Sequence, residues 1–573
     1  VRPRRLPALL LAALLPLALL PRLARTQTGG GIQFADGTAY AGITFRHNSG
    51  AFGKKYLPET MSSGLAIFDY DNDGWLDIFF ANGTNWPGRP APPTSCALYH
   101  NDRNGHFTDV TKAAGLAAPM FAIGVTAADY DNDGWKDLYV TAIGGNHLFR
   151  NLGNGTFGDV TAKTGTRGPG TFGTSTMFFD YDRDGYLDLL VANYVTWTVD
   201  KDLFCTLDGK AKSYCTPESY QGESPTLFHN RGDGTFEDVT RRAGLWDPTS
   251  KALGVALIDH DDDGWPDFVV ANDTQPNKLY RNNHDGTFTD LGTAAGIAFG
   301  ETGVARAGMG VDAADYSGSG RASLLIANFS NEMIGLYHNE GNGLYVDEAP
   351  ASTVGRASML TLAFGILFFD YDLDGRLDIF AGNGHVADDI AEVQPNVTHA
   401  QLPLVFHNLG DGHFEQVAGK LGPALQRRMV ARGVAVGDVD NDGDLDVVVS
   451  TNDGPAVLFR NDGGNRNRFV RVKTTGTRSN RDGIGAKVTV TLPDGSRQWR
   501  LVHTGSSYCS QSDTALTFGL GAHQRVESIE VDWPSGQVDV TGPVVANQVA
   551  FVEEGRGLVS AKVLPARGQA LTP

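Results

Sequence analysis

At 573 residues the chain is too long for one ordinary domain unless internal repeats build it. A net charge of −19 argues against nucleic acid as a partner. A hydrophobic share of 41%, with 71 glycines breaking the apolar runs into short pieces, argues against disorder.

Residues 1–27 read as a secretory signal peptide. Arg2, Arg4 and Arg5 precede an apolar run from Ala8 to Leu20, and no acidic residue interrupts it. The run is short and holds Pro16, so no stable membrane insertion is expected after cleavage; a retained anchor is the alternative.

Residues 28–466 repeat. The first repeat carries the loop Asp69-Tyr70-Asp71-Asn72-Asp73-Gly74-Trp75-Leu76-Asp77. Carboxylates at loop positions 1, 3, 5 and 9 on a tightly curled backbone converge on one point, as a hard cation with six to eight oxygen ligands requires. Gly74 at position 6 permits the sharp turn. Position 7 offers its backbone carbonyl, so its side chain is free to vary.

The predicted ligands of the six intact loops are Asp69, Asp71, Asp73, Trp75 and Asp77, then Asp129, Asp131, Asp133, Trp135 and Asp137, then Asp180, Asp182, Asp184, Tyr186 and Asp188. They continue with Asp259, Asp261, Asp263, Trp265 and Asp267, Asp370, Asp372, Asp374, Arg376 and Asp378, and Asp438, Asp440, Asp442, Asp444 and Asp446. A further copy between the fourth and the last two is eroded: Asp315 and Gly320 remain, while Ser317, Ser319 and Ser323 replace the other acids. About six Ca²⁺ sites are therefore expected, the eroded loop left out.

Each unit has an apolar strand entering the loop and another leaving it. A third strand reads Leu-aromatic-basic-Asn, as in Leu98-Tyr99-His100-Asn101, and a fourth reads like Phe107-Thr108-Asp109-Val110-Thr111. Four short strands per unit, punctuated by glycine turns, predict propeller blades. No fourth strand follows the last loop, but its counterpart stands near the front of the chain at Phe34-Ala35-Asp36-Gly37-Thr38. The N-terminal strand is therefore expected to complete the last blade and close a seven-bladed ring.

The metal loops join strands 1 and 2 and share one face. Long insertions, Asn82–Cys96, Asn193–Thr226 and Asn383–Leu404, join strands 2 and 3 and fall on the other. That face is the expected place for binding. The middle insertion holds Cys205 and Cys215, an expected disulfide. Cys96 and Cys509 are left unpaired by the sequence. His385 and Tyr194 begin insertions and are candidates for a ligand pocket. His100, His229, His338 and His407 lie in third strands, where a packing or polar-rim role is expected.

From residue 467 the acidic loops stop and alternating strands begin. Residues 467–556 read as a small separate all-β domain, β-sandwich-like, and 557–573 as a flexible tail.

The loops resemble the FG-GAP/VCBS repeats of secreted and adhesive propellers, including the integrin α head. Gly483-Ile484-Gly485-Ala486-Lys487-Val488, Ser510-Gln511-Ser512-Asp513, Phe518-Gly519-Leu520-Gly521 and Val531-Asp532-Trp533-Pro534-Ser535-Gly536 resemble the ASPIC/UnbV domain. The tandem is similar to the cartilage acidic protein family in its bacterial form. That resemblance implies an extracellular, calcium-binding, non-enzymatic protein and names no ligand. The vertebrate members' EGF-like module has no counterpart, since too few cysteines follow the propeller.

No H-E-x-x-H, P-loop or G-x-S-x-G pattern occurs. The expected function is a secreted, periplasmic or cell-surface binding or adhesion module for a protein or glycan. A propeller enzyme on the insertion face, either a polysaccharide lyase or a small-molecule tailoring enzyme, is one alternative. A passive cell-surface structural protein is the other.

Overall fold

The computed structural model describes residues 31–206 and 209–564, so the expected signal segment lies outside the described residues. Seven four-stranded antiparallel sheets follow one another along the chain. Blade 1 runs outward through Leu65–Phe68, Asp77–Phe80, Ala97–Asn101 and Phe107–Asp109. The next five begin at the inner strands Ala122–Ala128, Gly173–Phe179, Ala252–Ile258, Gly308–Ala314 and Ala363–Phe369. Blade 7 has inner strand Ala431–Gly437 and takes its outer strand, Gln33–Asp36, from the other end of the chain.

That closure is in register. Phe34 pairs with Asn461, as Phe107 pairs with Asn101 and Phe157 with Asn151. Neighbouring inner strands lie side by side around the whole ring, the seventh against the first. This is the expected seven-bladed propeller. Burial explains the strand composition. Inner strands such as Ala122–Ala128 and Gly173–Phe179 are buried along their whole length, their few polar side chains included, whereas the outer strand Phe107–Asp109 buries only its phenylalanine.

Two further four-stranded sheets form the C-terminal part. One has the order Leu516–Gly521, Arg468–Thr475, Gln548–Glu553, Gly557–Val563; the other Arg497–Leu501, Lys487–Thr491, Ser528–Asp532, Val538–Thr541. Val470, Val488, Phe518, Ile529 and Val531 fill the space between them. Two expectations change here. Residues Gly557–Val563, read as loose tail, form a strand paired with Gln548–Glu553, and Leu558 packs on the core. Nor are the sheets separate from the propeller: the same apolar cluster continues into Tyr130, Met177 and Phe268 of blades 2 to 4, and Ile32 onward is one compact unit.

The segment 502–515 links the two sheets through the propeller axis. Inner strands of a propeller present unpaired N–H groups to the channel. Here the segment accepts them. Ser510 Oγ takes Leu65 N–H at 3.1 Å, and Gln511 takes those of Ile67 on its carbonyl (3.0 Å) and Ala127 on Oε1 (2.7 Å). Cys509 O takes Val125 N–H, Thr504 Oγ1 takes Phe178, Ser507 takes Val311 and Ile366, and Ser512 Oγ takes Val436. Six of the seven blades are thus tied to one axial plug. Tyr508, fully buried at its tip, donates to Met61 O at 2.6 Å. Among the described residues no helix is long and apolar enough to cross a membrane.

Candidate metal centres

Each acidic loop is shaped by its first and last aspartates. Asp69 accepts the N–H groups of Asp73 and Gly74, both at 3.0 Å. Asp77 accepts Tyr70 N–H at 3.1 Å on one oxygen and Asn101 N–H at 2.8 Å on the other. The same bonds recur at Asp129 and Asp137, and at Asp180 and Asp188. Gly74 has φ +87°, as its position demands; Asn72 at position 4 is also left-handed, at +57°.

Position 3 tests whether a cation fits. Asp71, Asp131 and Asp182 each turn Oδ1 into the loop, buried and without a hydrogen-bond partner among the described residues. A carboxylate oxygen in that state is costly unless a cation meets it. Burial pushes Asp77, Asp129 and Asp188 up to about 7, and burial with the neighbouring Asp188 charge pushes Asp180 up to about 8. The donor set is all oxygen, which matches a hard divalent ion. Position-7 side chains take no common course. Trp265 stacks on His284 at 4.5 Å, whereas Arg376 donates Nε to Asn408 O at 2.8 Å and also bonds Asp374 of its own loop, and Asp444 is buried, accepting Asn465 N–H at 3.0 Å.

The eroded loop shows that the curl does not depend on four acids. Asp315 still accepts Ser319 and Gly320 N–H at 3.0 and 2.7 Å. Without the acid at position 9, His338 of the same blade has no partner for Nδ1. In intact loops the third-strand histidines do more than pack. His229 and His407 hydrogen-bond Asp188 and Asp378 through Nδ1 at 3.1 Å, and His100 Nδ1 stands 3.3 Å from Asp77 without a hydrogen bond. The polar-rim expectation is thus extended in three of the six intact loops, where an imidazole stands beside the closing carboxylate.

The asparagine ending each third strand has a role that the motif alone does not reveal. Asn101, Asn151, Asn230, Asn282, Asn408 and Asn461 donate Nδ2 to the position-2 carbonyl of the preceding blade's loop, at 2.7–2.9 Å. Asn230, buried, gives a further bond to Leu187 O. Asn230→Ala is expected to cost about 3 kcal/mol by leaving two buried carbonyls unpaired. Chemical denaturation reads this directly, and a loss below about 1 kcal/mol would refute the staple.

The C-terminal sheets cover this loop face. Asp482 accepts Asp129 N–H and the Lys136 ammonium, both at 2.8 Å. Arg471 pairs with Asp438 at 3.2 Å and with Asp513; Lys487 pairs with Asp262 at 2.9 Å. Contact is close enough that a Cβ on Gly519 would stand 2.1 Å from Asp370 Oδ2.

The insertions leave the blades at their other end. Cys205 and Cys215 are joined by a disulfide, while Cys96 and Cys509 are free and buried, each thiol pushed up to about 12 by burial. Tyr194 and His385 are both buried beneath the insertions. Tyr194 donates to Asp273 at 2.5 Å; His385 Nδ1 accepts Ala387 N–H at 3.0 Å and its ring meets Phe329 edge-on. The two sit in different blades and neither lies at an open surface.

An FG-GAP-like repeat model matches residues 69–140, 129–191, 200–270, 259–326 and 387–449, and an ASPIC and UnbV model matches 476–559. Cartilage acidic protein 1 of Xenopus tropicalis is 25% identical over 510 residues, covering 84% of this chain and 71% of its own length. The Homo sapiens protein of that name is 25% identical over 510 residues, 84% and 70%; that of Mus musculus is 24% identical over 529, 87% and 74%. Among solved structures, YCF48 bound to a D1 peptide is 6% identical with TM-score 0.41, covering 71% of this chain and 94% of that one. An Agrocybe aegerita lectin that recognises non-reducing terminal N-acetylglucosamine is 18% identical with TM-score 0.36, covering 64% and 82%. On the repeat match, which spans more than half of its length, the chain belongs to the FG-GAP-like repeat family and carries an ASPIC and UnbV domain behind its propeller.

Proposed function

We propose that this protein is an extracytoplasmic binding module: a calcium-braced propeller that offers its insertion face to a protein or glycan. The observation that carries this reading is the occupancy of the other surfaces. The C-terminal sheets cover the acidic-loop face, and the plug fills the axis. The insertion face is the broad end of the ring that the C-terminal sheets leave uncovered. There the disulfide braces a loop whose Leu203 and Phe204 are 41% and 66% exposed. Apolar side chains held out on a rigid scaffold are surfaces for contact. The disulfide agrees with an oxidising compartment.

Calcium acts structurally in this reading. The six intact loops take divalent ions, and a total ion count by equilibrium dialysis is expected to approach six per chain rather than seven, because the fifth loop keeps only Asp315 where its sisters have four acids. An enzyme on this face would need a deep central pocket lined by His385, Tyr194 and basic residues from several blades. The burial of His385 and Tyr194 and the plug at Tyr508 favour binding over turnover.

The test is affinity capture on the immobilised protein from envelope extract and culture medium, with millimolar Ca²⁺ or with chelator. A protein or glycan retained only with calcium is the expected result. Nothing retained in either condition overturns the module reading and moves the weight to turnover or to a passive surface role.

A further inference from the structure

The fourth acidic loop differs from its sisters at position 2. Tyr70, Tyr130, Tyr181, Tyr371 and Val439 stand there in the other intact loops; His260 stands in the fourth. The tyrosine rings sit between the third strand of their own blade and the outer strand of the next. Tyr70 meets His100 and Phe157, Tyr181 meets His229 and Phe288, and Tyr371 meets His407 and Phe34.

In blade 4 that place holds an imidazole whose side chain is 3% exposed. Neither ring nitrogen has a hydrogen-bond partner among the described residues. Nε2 lies 3.8 Å from Asp261 Oδ2. A ring nitrogen of His260 and one oxygen each of Asp261 and Asp267 all lie within 4.8 Å of one another. The neighbouring seam is altered as well. The facing outer-strand residue is Tyr345 where the sister seams have phenylalanine, and its hydroxyl takes the Asn339 amide at 3.2 Å. Asn339 therefore makes no staple to the His260 carbonyl, and blade 4 departs from the sister pattern at this corner.

A calcium loop has no use for a buried nitrogen donor, since calcium takes oxygen. Imidazole suits borderline first-row ions, and one nitrogen with two carboxylates is a ligand set that zinc accepts. His229 and His407 already bond their closing aspartates at 3.1 Å, and His100, whose Nδ1 lacks a hydrogen bond, is a quarter exposed. Among the described loop residues His260 alone combines burial, two unpartnered nitrogens and a carboxylate pair.

We propose that the fourth loop is a transition-metal site, in which His260, Asp261 and Asp267 hold one divalent ion of the zinc class while the other intact loops keep calcium. The inference rests on reading the loops as cation sites. It is tested separately, with Co²⁺ as a spectroscopic stand-in for zinc. The full chain is saturated with calcium, titrated with Co²⁺ and followed by visible absorption, alongside His260→Tyr. That variant restores the ring that four sister loops carry, so it preserves the packing.

Wild type is expected to bind one Co²⁺ with a nitrogen-ligated spectrum, displaced by one equivalent of Zn²⁺. His260→Tyr is expected to lose at least 90% of that signal while keeping its bound calcium. No Co²⁺ signal in the wild type overturns the proposal, and so does a signal that persists in His260→Tyr, because His100, His229 and His407 remain there. A His260-dependent cobalt signal in a chain that binds no calcium leaves this inference standing and removes the calcium reading instead.

Discussion

Chelation with EDTA is expected to lower the melting temperature by roughly 7 °C. For a site with a dissociation constant of about 0.1 mM in about 1 mM calcium, linkage contributes roughly 1.4 kcal/mol. Six such loops contribute on the order of 8 kcal/mol, as large as the net stability of many domains. A chain of this length has an unfolding entropy of roughly 1.1 kcal/mol/K, which converts the loss into that shift. The structure says why the loss would spread. Each loop's position-2 carbonyl holds the next blade's asparagine in six of the seven seams. A loop that relaxes without its ion therefore loosens a seam as well as itself. An unchanged melt in EDTA would remove the calcium reading.

The chelated protein also carries a pH signature. Without an ion, Asp77 and Asp188 are held near 7 and Asp438 near 8, chiefly by burial. An unfolded aspartate titrates near 3.9. Between those values the folded state binds more protons than the unfolded one, so stability falls as pH rises. In EDTA the melting temperature is expected to decline from pH 5 to pH 8. A bound divalent ion keeps the carboxylates ionised in the folded state as in the unfolded one, so over this range it flattens the slope. The gap between the calcium and EDTA curves should therefore widen with pH; parallel curves would show that the loops take no ion.

What the sequence made legible follows from where its bonds are made. The blade count and the closure by Phe34 were readable because each repeat spells its own four strands, and the missing fourth strand had one counterpart. The loop turns were readable because the bonds of Asp69 to Asp73 and Gly74 close within five residues. The staples were half readable: the asparagine recurs, but its partner carbonyl lies in another blade, so the motif shows the residue and hides its bond. The plug was not readable. Ser506-Ser507-Tyr508-Cys509-Ser510-Gln511-Ser512 has the composition of an ordinary polar loop, and its partners are backbone N–H groups spread over six blades. No side-chain pattern marks a backbone donor. His260 stood in plain sight within the fourth loop, but a histidine at position 2 takes on meaning only once its burial and unpartnered nitrogens are known.

Replacing residues 504–512 with a glycine-serine linker is expected to destabilise the whole chain by roughly 10 kcal/mol. Five inner-strand N–H groups lose side-chain acceptors, at Leu65, Ala127, Phe178, Ile366 and Val436, and three more, at Ile67, Val125 and Val311, lose carbonyls that a flexible linker no longer holds in place. Water entering the opened channel would satisfy them in part, so each is worth about 1 kcal/mol net. Removing the fully buried Tyr508 ring adds roughly 2 kcal/mol of lost burial. The total matches the entire stability of a typical domain, so the variant is expected to melt roughly 9 °C lower or to fail to fold. The milder Gln511→Leu separates these outcomes. Gln511 Oε1 accepts Thr126 Oγ1 and Ala127 N–H, both at 2.7 Å, and Nε2 donates to Ala127 O at 2.9 Å. Leucine fills the same volume and leaves those groups buried without partners, at a cost of about 3 kcal/mol. Denaturant midpoints for the pair decide the matter. If both variants unfold with the wild type, the segment is an ornament in a channel that stands without it. If both fall in that order, the propeller and its C-terminal sheets are one cooperative structure, and neither is expected to persist alone.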